Sequence, residues 1–120
     1  MVEISNPKTI KPYITKDKSE IRELFPTNNS SIKTMSLAEA RVLPGKSTEY
    51  HFHKNSNEIY FVLEGSGIFE IEGEKKKVKK NDCIFIPAGS KHRIKNIGMV
   101  ILKILCFCSP PYSHEDTTLM

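Results

Sequence analysis

From residue 32 onward, short runs rich in Ile, Val, Phe and Tyr alternate with polar turn residues. This pattern predicts strands over 33–43, 48–54, 58–64, 67–72, 75–79, 83–87, 91–95 and 98–107. The breaks are Pro44-Gly45, Asn55-Ser56-Asn57, Gly65-Ser66-Gly67, Glu72-Gly73, Asn81-Asp82, Pro87-Ala88-Gly89-Ser90 and Asn96. Eight short strands about ten residues apart point to an all-β antiparallel sandwich or barrel. The first 30 residues read differently. Lys11-Pro12-Tyr13-Ile14 is a short extended piece. Asp17, with Glu20 three residues on, has the spacing of a capping box and predicts a short helix through Leu24. Pro26 and the polar Thr27-Asn28-Asn29-Ser30-Ser31 then close it. The expected division is a lead-in over 1–30, a barrel over 31–109 and a tail over 110–120.

Length and composition fit that picture. A chain of 120 residues suits one domain. Apolar residues make up 38% and charged residues 27%, an ordinary globular balance. The opening residues lack a basic stretch followed by an apolar one, and the longest apolar-rich run, 97–108, contains Lys103. A cytoplasmic protein with no membrane span is therefore expected. Three cysteines suit a reducing compartment better than a disulfide framework. Cys106 and Cys108 share one strand face and read first as small packed hydrophobes. The net charge of +4 owes much to Lys75, Lys76, Lys77, Lys79 and Lys80. No interleaved aromatics or nucleic-acid module accompany them, so they read as a solvated face that blunts a sheet edge. No nucleic-acid partner is expected.

The chemistry gathers around the histidines. His51 and His53 are one residue apart on an expected strand, so both imidazoles face the same side. Glu58 follows after a short turn, and hairpin geometry returns it beside them. His92 starts a later strand, just after Pro87-Ala88-Gly89-Ser90-Lys91. Of the four histidines only His114, in the tail beside Glu115 and Asp116, lies outside these two segments.

Both segments resemble the motifs of the cupin superfamily. The first runs Gly45-(KSTEY)-His51-Phe52-His53-(KNSN)-Glu58-(IYFVLE)-Gly65. The second runs Asn81-(DCIFI)-Pro87-Ala88-Gly89-(SK)-His92-(RIK)-Asn96, with Asn81 where the family usually has Gly. Asn is the residue next best suited to positive φ, so the turn should survive. The chain is similar to small single-domain microbial cupins, including those resembling mannose-6-phosphate isomerase. The resemblance implies a jelly-roll barrel (a double-stranded β-helix) with one divalent transition metal in its mouth. It implies His51, His53, Glu58 and His92 as ligands. It gives Gly45, Gly65, Pro87 and Gly89 to turns and bends, and Asn96 to backbone satisfaction. It also implies a homodimer.

Three imidazoles and a carboxylate suit Fe, Mn, Ni, Zn, Co or Cu and weigh against Mg and Ca. Four protein ligands leave two positions of an octahedron for water, O₂ or a bidentate small-molecule substrate. A divalent ion with one carboxylate keeps a formal charge of +1 and stabilises an enolate. Three functions follow: an isomerase, epimerase or lyase for a sugar, sugar phosphate or sugar acid; a dioxygenase; or a metal- and ligand-binding module without catalysis. Strand parity makes Glu49 and Tyr60 candidate pocket groups for acid–base work. Arg41, on one strand face with Glu39, is a candidate for holding an anionic substrate.

Overall fold

The computed structural model describes residues 2–27 and 30–120. It contains eleven strands and one short 3₁₀ turn, Pro7–Thr9. The strands are β1 (Tyr13–Ile14), β2 (Glu20–Glu23), β3 (Ser36–Val42), β4 (His51–His53), β5 (Asn57–Glu64) and β6 (Ser66–Ile71). They continue with β7 (Glu74–Lys79), β8 (Cys83–Ile86), β9 (His92–Asn96), β10 (Leu102–Ser109) and β11 (Thr117–Leu119). Two antiparallel sheets face each other, ordered β1-β2-β3-β10-β5-β8 and β11-β4-β9-β6-β7. All eight strands expected from the turn signals are present, with ends shifted by a few residues.

Strict alternation builds the interior. Along β10, Leu102, Ile104, Cys106 and Cys108 are buried, while the residues between them are partly exposed. On β5, Glu58, Tyr60 and Val62 face inward; on β9, His92, Ile94 and Asn96 do so. Register lines these rows up. Ile104 opposes Val62, Cys106 opposes Tyr60, and Cys108 opposes Glu58. The barrel therefore grades from an apolar floor of Val42, Val62, Phe69, Ile94 and Leu102 to a polar mouth. Apolar burial at about 25 cal/mol per Å² drives the floor together, and that rigid floor carries the costlier polar groups above it. The lysine-rich β7 lies at a sheet edge, with only Val78 buried.

One expectation needs correction. Residues 17–24 form no helix: β2 pairs with β3, placing Ile21 opposite Ala40. The Asp17 side chain does accept backbone and hydroxyl hydrogens from Ser19, but within a tight turn where Lys18 has φ of 76°. The capping-box spacing thus records an Asx-type turn between two strands. Within 110–120, β11 pairs with β4 and sets Thr117 opposite His53. Asn28 and Asn29 of the expected polar loop lie outside the described residues.

Asn96 locks the ends of the barrel. It is fully buried; its amide donates to the Val42 and Val100 carbonyls at 2.9 and 2.8 Å and accepts from Gly98 N. Asn81 has φ of 77°, in keeping with its place where the family has Gly. No helix among the described residues is long and apolar enough to cross a membrane. Replacing Asn96 strands one buried and two partly buried backbone groups. Asn96→Ala should therefore cost about 2–4 kcal/mol, read as a lower urea midpoint. An unchanged midpoint would contradict this role.

Candidate metal centre

The mouth of the barrel brings His51, His53, Glu58 and His92 together. The two histidines of β4 enter from one sheet, with His92 of β9 directly opposite His51. Glu58 enters from β5 in the other sheet. All four are at most 5% exposed. The ligand atoms of the three histidines lie within 4.8 Å of one another. Glu58 Oε1 stands 3.3 Å from His53 Nε2 and 3.4 Å from His92 Nε2. Donor atoms held about 2.1 Å from one ion stand about 3–3.5 Å apart, so this spacing fits.

The outer nitrogens fix which way each ring points its lone pair. His51 Nδ1 lies 2.7 Å from the Glu49 carbonyl, and His92 Nδ1 lies 2.9 Å from the Ser90 carbonyl. A carbonyl only accepts, so both rings carry their hydrogen on Nδ1. His53 Nδ1 lies 3.0 Å from Thr117 Oγ1, whose own hydrogen goes to the Ser113 carbonyl. His53 Nδ1 must donate there too. In the neutral rings, the Nε2 lone pairs of His53 and His92 then face the Glu58 carboxylate, and that of His51 faces Asp17 Oδ2 at 3.5 Å. Glu58 Oε1 and His92 Nε2 are buried without a hydrogen-bond partner. An orphaned buried acceptor costs about 1–3 kcal/mol, more when charged. Several acceptors converging with no donor among them are stabilised by a cation, so the residues present fit a divalent metal.

The electrostatics agree. Burial pushes the His51 pKa down, and the neighbouring His92 adds to this. Burial acts the same way on His53, but Glu58 outweighs it and raises the pKa. Burial would raise Glu58, yet His53 and His92 hold it at about 2. Cys108 Sγ donates to Glu58 Oε2 at 3.3 Å, leaving Oε1 free. Burial, then Glu58, raises the Cys108 pKa, keeping the thiol as the donor this contact needs.

The remaining candidates fall differently. Tyr60 is buried, lines the cavity and meets the His92 ring edge-on at 6.0 Å. Its burial raises its pKa well above the ordinary value, so its hydroxyl is a proton donor. Glu49 does not line the cavity; its side chain is exposed. Alternation fails there because β4 begins only at His51, and Thr48 is the buried residue, bonded through Oγ1 to Ile94 N. The part Glu49 plays is its carbonyl on His51. Arg41 also lies off the cavity. Inward β3 positions belong to Ser36, Ala38, Ala40 and Val42, so Arg41 lines a surface cleft and pairs with Glu39 at 2.7 Å. His114 is exposed and packs edge-on against Tyr112. Cys106 and Cys108 both line the cavity. Gly89 (φ 83°) makes the turn before His92 and donates its N–H to the His53 carbonyl at 2.7 Å.

Sequence reasoning missed Asp17 and Thr117. Asp17 carried a competing helix-cap signature. Nothing local marks Thr117; only strand pairing brings it to His53.

Two facing sheets with a histidine-rich mouth define a small barrel in which His51, His53 and His92 could hold a metal ion. The chain belongs to the cupin family: the Cupin domain model matches residues 38–108. It is 54% identical over 111 residues to an uncharacterized protein of Methanocaldococcus jannaschii, covering 92% of this chain and 89% of that one. It is 31% identical over 90 residues to an oxalate-binding protein of Thermotoga maritima, covering 75% and 74%. A crystal structure described as a predicted oxalate decarboxylase from Thermotoga maritima superposes with a TM-score of 0.80 at 26% identity, covering 90% of this chain and 99% of that one.

In the metal-free protein, imidazole NMR should show His53 titrating above, and His51 below, an ordinary histidine. Added Zn²⁺ should abolish both titrations near neutral pH. Two coincident, unperturbed titrations would contradict this geometry. Glu58 makes a separate pH prediction. Its folded pKa of about 2 lies below the ordinary 4.5. Its contribution to the stability of the metal-free chain is thus present above pH 4.5 and lost as pH falls towards 2. Glu58→Gln should flatten that acid limb in denaturation measured against pH.

Proposed function

We propose that the protein is a metal-dependent enzyme of the isomerase, epimerase or lyase class, acting on a small oxygen-rich metabolite of the sugar or sugar-acid kind. The observation that carries this reading is the set of inward lone pairs of His51, His53 and His92 beside Glu58, opening on a closely walled cavity. One divalent transition ion per chain would sit there. When bound, it polarises a carbonyl or hydroxyl oxygen and stabilises an enolate.

The walls support a small, weakly charged substrate. They combine Ile21, Ala40, Val42, Ile94 and Ile104 with Thr15, Ser19, Thr48, Tyr60 and Tyr112. The cavity volume is about 50 Å³. No Lys or Arg is among the described lining residues, whereas Asp17, Glu23 and Glu58 are. That lining favours hydroxyl and carbonyl groups and puts any phosphate outside the cavity. Tyr60 can donate a hydrogen bond to a developing oxyanion. Apolar walls and the surrounding strands keep bulk water from the centre.

A second reading is small-acid binding without turnover. The relative described as oxalate-binding favours it, as does the small cavity.

Metal analysis and turnover assays test these together. The purified protein should carry about one transition ion per chain, and His51→Ala should lose it by elemental analysis. The metal-loaded protein should isomerise or eliminate from sugars or sugar acids without consuming O₂. Uptake of O₂ with a diol would overturn the isomerase reading in favour of a dioxygenase. Oxalate binding with no turnover would favour the second reading. Cys108→Ala should weaken metal binding about tenfold, with Cys108→Ser closer to wild type, by chelator competition.

A further inference from the structure

Asp17 is the group at the mouth that the four-ligand reading leaves unused. It is 9% exposed and lies in the turn between β1 and β2. Its two oxygens have different environments. Oδ1 accepts three hydrogen bonds: Thr15 Oγ1 at 2.5 Å, Ser19 Oγ at 2.6 Å and Ser19 N at 3.0 Å. Oδ2 stands 3.5 Å from His51 Nε2. His51 donates from Nδ1 to Glu49, so in the neutral ring this Nε2 is a lone pair. Two acceptors at that distance repel one another unless a cation lies between them. Glu58 meets His53 and His92 in the same way, at 3.3 and 3.4 Å. The buried, unpartnered Glu58 Oε1 and His92 Nε2 show independently that this centre awaits a cation.

The turn is built to hold Asp17 in place. The Asp17 carbonyl accepts from Glu49 N at 2.7 Å, tying the turn to the residue that also orients His51. Thr15 N donates to Ser19 O, and Lys18 N to Thr15 O, each at 3.0 Å. Lys16 Nζ reaches the carbonyls of His114 and Thr117 at 2.9 and 2.8 Å, linking the turn to the segment that orients His53.

We propose that Asp17 Oδ2 is a fifth protein ligand of the metal, delivered by the N-terminal turn. This inference rests on the metal-centre reading above and deepens it. A divalent ion bound by two carboxylates has no net formal charge, and five protein ligands leave one position of an octahedron open. Such a centre takes one neutral oxygen, a sugar hydroxyl or carbonyl, in preference to chelating a dicarboxylate. It also makes metal uptake fasten the lead-in to the barrel.

Asp17→Asn tests this cleanly. Asn keeps an oxygen for the Thr15 and Ser19 donors and replaces Oδ2 with an amide nitrogen that cannot ligate. That amide can donate to the free His51 Nε2, so the metal-free variant should melt no lower than the metal-free wild type. Co²⁺ is the probe. Wild type should bind one Co²⁺ per chain with the weak visible absorption of a five- or six-coordinate ion. Asp17→Asn should bind at least about tenfold more weakly, with stronger absorption as the coordination number falls. Equal affinity and identical spectra in the two proteins would overturn the role of Asp17 and leave the four-ligand centre standing. A lower metal-free melting temperature with unchanged Co²⁺ binding would make Asp17 a structural residue only, and also overturn the proposal. Absence of Co²⁺ uptake by wild type would overturn both readings together.

Discussion

The organisation of this protein turns on where three imidazole hydrogens point. Each ring spends its Nδ1–H on an acceptor outside the centre: the Glu49 carbonyl, the Thr117 hydroxyl and the Ser90 carbonyl. That leaves the Nε2 lone pairs of His53 and His92 facing Glu58 and that of His51 facing Asp17. In a buried setting this arrangement is unstable by itself, because unpaired acceptors in low dielectric have lost their water and gained nothing. A cation converts the same atoms into ligands. The outer hydrogen bonds are therefore as much a part of the centre as the ligands are.

The barrel makes such a concentration of polar groups tolerable. Its floor is packed with β-branched and aliphatic side chains from both sheets, and its mouth carries the charge. The step between them takes only two inward positions along a strand, from Val62 to Tyr60 to Glu58, matched by Ile104, Cys106 and Cys108 across the ladder. A one-residue slip of either strand in this register would turn its own member of the pair, Glu58 or Cys108, outward. The packed floor and the site are thus specified by the same pairing.

The two chain ends complete the centre. The N-terminal turn brings Asp17 beside His51, and the C-terminal strand brings Thr117 beside His53. Lys16 joins the two ends through the carbonyls of His114 and Thr117. The strands between residues 36 and 109 place the histidines and Glu58, while the ends set Asp17 and Thr117 beside them. This division explains the mixture in the cavity wall, where lead-in residues such as Thr15 and Ser19 join residues of β9 and β10.

Residue types and spacing by themselves determined the eight central strands, and the resemblance of two motifs to those of cupins pointed to the family and to His51, His53, Glu58 and His92. They could do so because period-two alternation, turn residues and a His-x-His pair are local signals. The tertiary structure decided what lies beyond that range. It made 20–23 a strand, since pairing of β2 with β3 outweighs a capping-box spacing that a turn satisfies equally well. It put Glu49 and Arg41 off the cavity, because parity holds only within a strand and does not say which face is inside. It brought in Asp17 and Thr117, whose meaning comes from neighbours 34 and 64 positions away in the chain. Long-range register, which no short window of residues encodes, is the physical reason for the difference.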